Sequence, residues 1–78
     1  MPPDKLIYMA NQIATFFQSQ PGEGAKRGIA DHINKFWDPR MRDQLLQLIA
    51  EGHAGLLPGV IAAREDIRPS KSRQMAQD

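Results

Sequence analysis

Phe36-Trp37-Asp38-Pro39-Arg40-Met41-Arg42 closes one amphipathic helix and opens the next. An aspartate placed before a helix accepts from the free N–H groups of its first turn, and proline fits the first helical position, where no N–H is needed. Asp38 and Pro39 therefore start a new helix directly after Trp37, and the segment is a corner rather than a linker. The same corner sets the only tryptophan of the chain beside two arginines. Tryptophan is an anchor and arginine a recognition residue, and neither is an obvious nucleophile or metal ligand here. The chemistry of the corner points to binding.

On either side, breakers divide the chain into helical segments. Pro2-Pro3-Asp4 opens the first and Ser19-Gln20-Pro21-Gly22 closes it. A second segment runs from about Gly24 to Trp37, and a third from Pro39 to Glu51 with Gly52 as its C′ residue. A short fourth follows Pro58 to about Arg64. No strand alternation or repeat interrupts them. At about 100° per residue, Leu6, Ile7, Met9, Ala10, Ile13, Ala14, Phe16 and Phe17 share one half of the first helix, with Tyr8, Asn11, Gln12 and Thr15 on the other. The second helix gathers Ala25, Ile29, Ala30, Ile33, Phe36 and Trp37 opposite Arg27, Asp31, Asn34 and Lys35. In the third, Met41, Leu45, Leu46, Leu48 and Ile49 form the stripe, and Arg42 projects within its sector. From Asp66 onward the sequence turns polar and lacks the apolar residues that offset ordering entropy. The expected fold is all-α: a small bundle of three main helices plus a short fourth helix, with residues 1–69 as the helical domain and 70–78 as a flexible polar C-terminal tail.

A chain of 78 residues holds one domain with a modest core and little room for a deep catalytic cleft. Without cysteine it builds no disulfide, iron–sulfur cluster or thiolate metal site, so stability rests on helix packing or on a partner. A formal charge of +1 supplies no strong field for nucleic acid or an anionic membrane. Leu6 to Phe17 is broken by polar residues and too short to span a bilayer, and nothing resembles a signal peptide, so a cytoplasmic location is expected.

The inventory of reactive groups is thin. His32 and His53 lie far apart, and Asp31, Asp38 and Glu51 suit helix ends and solvated faces better than a metal site or an acid/base pair. Ser19, Ser70 and Ser72 have no paired base. Pro21-Gly22-Glu23-Gly24 lacks the strand and glycine spacing of a dinucleotide fingerprint. Two helices joined by a short turn also suit a small helix-turn-helix DNA-binding protein, whose recognition helix would begin at Arg40, yet Leu45-Leu46-Gln47-Leu48-Ile49 carries no basic stripe.

Arg40 and Arg42 stand in the first turn of the third helix, where the macrodipole disfavours cations by about 0.3 to 1 kcal/mol each. Local helix stability does not explain them, whereas bidentate pairing with a carboxylate does. The apolar face of the first helix is likewise wider than two short neighbours need. Arg40, Arg42, Trp37, Phe16 and Phe17 are therefore the candidate partner-binding residues.

The runs Asp4-Lys5-Leu6-Ile7-Tyr8-Met9-Ala10-Asn11-Gln12-Ile13-Ala14-Thr15-Phe16-Phe17 and Ile29-Ala30-Asp31-His32-Ile33-Asn34-Lys35-Phe36-Trp37-Asp38-Pro39-Arg40-Met41-Arg42 resemble the delta subunit of cytoplasmic NAD-dependent formate dehydrogenase. Gly52-His53-Ala54-Gly55-Leu56 and Ile67-Arg68-Pro69 agree in order and spacing, so the resemblance spans roughly Asp4 to Pro69. It implies a small accessory subunit without a cofactor of its own. In such an enzyme the alpha subunit carries the molybdenum or tungsten bis-pterin centre and iron–sulfur clusters, while beta and gamma subunits pass electrons through flavin to NAD. The implied role is to bind and stabilise the alpha subunit, with no nucleic acid or membrane as partner. The alternative is a transient maturation factor for insertion of the molybdenum cofactor.

Overall fold

The computed structural model describes residues 2–20 and 23–71. Among them are four α-helices and no strand: α1 (Pro3–Phe17), α2 (Gly24–Phe36), α3 (Pro39–Ala50) and α4 (Pro58–Ala63), followed by a 3-10 turn over Arg64–Asp66. This is the all-α bundle of three main helices and a short fourth that the breakers and periodicities imply.

The corner forms as its residues dictate. Asp38 is extended, its Oδ1 accepts from the Met41 N–H at 2.9 Å, and Pro39 opens α3. At the other end of α3, Gly52 takes a φ of 71°. Its N–H donates to the Ile49 carbonyl at 3.0 Å, and the His53 N–H donates to the Leu48 carbonyl at 3.2 Å. The two bonds complete a Schellman motif, which satisfies carbonyls that the helix end would otherwise leave bare.

Helix α1 packs on α2, α3 and α4, and α2 packs in turn on α4. Leu6, Ile29, Ile33, Leu45 and Val60 form the fully buried centre of one core, closed by Trp37, Leu56 and Ile67. Three neighbours rather than two explain the width of the apolar face of α1. Leu6, Ile7, Ala10 and Ala14 are buried, and Met9, Ile13 and Phe17 are half-buried. Phe16 stands outside this packing.

Two asparagines on the polar faces fasten loops to the helices. The Asn11 Nδ2 donates to the Gly55 carbonyl at 2.8 Å while its Oδ1 accepts from the Leu57 N–H at 2.9 Å. Asn34 does the same to the segment after the 3-10 turn: its Nδ2 donates to the Asp66 carbonyl at 2.9 Å and its Oδ1 accepts from the Arg68 N–H at 2.8 Å. That segment is held in place although the sequence turns polar from Asp66 onward. Ile67 is buried, and the Ser70 N–H donates to Asp43 Oδ1 at 2.8 Å, with the Ser70 hydroxyl also bonded to that carboxylate. One apolar side chain and paired backbone groups are enough to hold a strap that a count of apolar residues misses. The packed body thus reaches Ser70, and residues 72–78 of the expected tail lie outside the described residues.

Candidate partner-binding surface

Gly28, His32 and Phe36 follow one another at four-residue intervals on α2, so they lie in one row about 12 Å long. At its first position the missing side chain admits the ring of Phe17 from α1: a Cβ on Gly28 would stand 2.5 Å from Phe17 Cδ1. Phe16 meets Phe17 edge to face, with centroids 5.0 Å apart and planes at 89°. At the far end the ring of His32 tilts against Phe36 at 4.8 Å. The outcome is an aromatic ridge from Phe16 to Phe36, whose ends are 76% and 69% exposed. It borders an open groove that Lys35 and Arg68 also line.

The exposure of Phe36 departs from its place on the apolar side of the second helix. Its angle is within about 20° of that of Ile29, so the difference lies along the axis. Ile29 is covered by α4, since a Cβ on Gly59 would meet its Cδ1 at 3.2 Å. Phe36 is seven residues farther on, about 10 Å along the helix and past that cover.

The five candidates from the sequence fall into two sets. Phe16 and Arg40 are exposed and Phe17 is half-buried beneath Phe16, so all three border solvent. Trp37 is buried in the core. Arg42 is committed internally: its Nε donates to the Arg68 carbonyl at 2.8 Å and an Nη donates to the Trp37 carbonyl at 3.0 Å. One guanidinium therefore ties the corner to the strap, which answers why a cation sits in that helical turn. Sequence reasoning set Lys35 on the polar side of the helix and Phe36 on the apolar side, and named neither of them, nor His32 or Arg68, as partner-binding. The row of Gly28, His32 and Phe36 was visible in the sequence, but the edge of the α4 cover was not.

Elsewhere, one cluster of charges joins two elements. Lys26 Nζ donates to Glu65 Oε1 and lies 3.8 Å from Glu23, joining α2 to the 3-10 turn. The bond to Glu65 raises the Lys26 pKa above its ordinary value, against a smaller lowering by desolvation, and the same bond lowers that of Glu65. His53 Nδ1 accepts from the Gly55 N–H at 3.2 Å within a turn. Among the described residues, no group of three or more histidine or acidic side chains is placed to hold a metal ion. Nor is any helix there long and apolar enough to cross a membrane. Helix α3, the recognition helix of the DNA-binding alternative, buries Leu45, Leu46, Leu48 and Ile49.

Residues 5–64 match the family described as NADH-dependent formate dehydrogenase delta subunit FdsD. The chain belongs to that family. The match takes in the whole aromatic ridge and the corner of this delta-subunit domain, while the strap that closes over α2 and α3 lies past its end. No curated protein matches the chain.

Proposed function

We propose that this delta-family chain is a non-catalytic accessory subunit that binds the large molybdenum-containing catalytic subunit of formate dehydrogenase and stabilises it. The exposed aromatic ridge carries the reading. Large aromatic side chains are enriched at protein interfaces, and Phe16 and Phe36 are the most exposed large apolar side chains among the described residues. A surface that binds only the assembled catalytic subunit favours that state by mass action. The chain supplies shape and apolar area, and the enzyme supplies the chemistry.

Co-expression with the other subunits tests this. The chain should co-purify in fixed ratio with active enzyme, and Phe16→Ser with Phe36→Ser should lower its retention by about tenfold or more, because interface anchors are commonly worth 2 kcal/mol or above. Both side chains are exposed, so the melting temperature of the isolated domain should hold. Release of the chain once the molybdenum centre is inserted would identify a maturation factor instead, and retention indifferent to both substitutions would move the interface off the ridge.

A further inference from the structure

The groove beside the ridge is charged at one end in a way that selects its occupant. Arg68 is fixed there through both of its backbone polar groups, the N–H by Asn34 and the carbonyl by Arg42. Its own guanidinium is exposed and has no ion pair among the described residues, and the same holds for the Lys35 ammonium. Both line the groove with Phe36. The single carboxylate on the groove, Asp31, is one helical turn earlier, towards Gly28 and Phe17, and forms no ion pair with Lys35 within 4.0 Å. Aromatic residues thus line both ends of the groove, Lys35 stands beside Phe36 with Arg68 held near it by Asn34, and the acid stands one turn back towards Gly28.

We infer that the groove receives an extended or helical segment of the catalytic subunit that sets an apolar side chain on the Phe17–Phe36 aromatic surface and an acidic side chain between Lys35 and Arg68. This rests on the assembly reading above and adds the partner's chemistry and orientation. Arginine pairs a carboxylate in planar, bidentate fashion, and a lysine one helix position from Phe36 adds a point charge to the same anion. An apolar anchor alone would bind in either direction, whereas the two cations give the segment a single direction along α2.

The test adds the full chain to formate dehydrogenase complex prepared without it and measures affinity at two ionic strengths. Lys35→Glu and Arg68→Glu should each weaken binding by about tenfold or more, because like charges then face each other. The parent should bind more weakly at the higher salt. Lys5→Glu, an equal charge change on the exposed side of α1, should leave affinity unchanged, and Asp31→Asn should leave it equal or tighter. Melting curves of the variants should match the parent, since neither cation holds the fold together. Binding by the parent that ignores both reversals overturns the charged groove and spares the assembly reading. A parent that fails to bind the complex overturns both, and a dimer of this chain that dissolves on Phe36→Ser overturns the groove's assignment to the catalytic subunit.

Discussion

At the scale of single residues, Arg42 shows how a side chain with no local reason for its place acquires one from the tertiary fold. Its fork reaches the Trp37 carbonyl within the corner and the Arg68 carbonyl in the strap, 26 residues on. Arg42→Ala removes a charged donor from two carbonyls, and the expected loss of stability is about 2 to 3 kcal/mol. Lysine cannot span both acceptors as a planar fork, so Arg42→Lys should recover only part of it. Arg40 is exposed in the same turn, and Arg40→Ala should change stability by less than about 0.5 kcal/mol. Trp37→Ala opens the core and should cost about 3 to 5 kcal/mol. Urea unfolding of the four variants ranks them, and a neutral Arg42→Ala would show that water replaces the guanidinium at both carbonyls.

At the scale of the helices, two glycines are needed for opposite reasons. Gly52 ends α3 with a positive φ and open space around it. Gly52→Ala therefore meets only the backbone penalty of the left-handed region, about 1 to 2 kcal/mol. Gly28 has ordinary helical backbone, and alanine there would gain up to about 1 kcal/mol of helix propensity. The Phe17 ring occupies the space of the new methyl, and overpacking of this kind costs about 1 to 3 kcal/mol. The net expectation for Gly28→Ala is a loss of about 1 kcal/mol, together with weaker binding to the enzyme as the ridge is displaced. Thermal melts of the two variants decide it, and a stabilised Gly28→Ala would mean that Phe17 swings aside freely.

For the whole molecule, the Lys26–Glu65 pair predicts how stability follows pH. Glu65 titrates below its ordinary 4.5 in the folded chain, so its contribution is present above that value and is lost as pH falls through the depressed one. Lys26 titrates above its ordinary 10.5, so its contribution is present below that value and is lost as pH rises through the raised one. The contribution of the pair to the melting temperature should therefore be level between the two limits and fall on the acid side of 4.5. Lys26→Met should flatten the part of that fall due to the pair. Both ends of the pair meet solvent, so added salt should shrink the effect as well. An acid limb identical in parent and variant would assign the fall to other carboxylates.

Helix type, number and ends were already legible in the residue order. Asp38 and Pro39 at the corner, Gly52 after α3 and Pro58 at the start of α4 act through bonds spanning at most a few residues, and such bonds form with little help from the rest of the chain. The apolar rows that became the core were legible for a related reason, because angular position on a helix depends only on spacing. Long-range placement was not. Phe36 shares the sector of Ile29 yet lies in solvent, because only the packed positions of the helices set where α4 stops covering α2. Asn11 and Asn34 read as polar surface and Arg42 as a partner contact, and each became a fastening once segments 26 to 46 residues away came within hydrogen-bond reach. The hold on the strap from Ile67 to Ser70 was hidden because its anchors lie on α2 and α3. Local chemistry chose the helices of this delta-family domain; contacts between distant segments chose which faces were left for a partner.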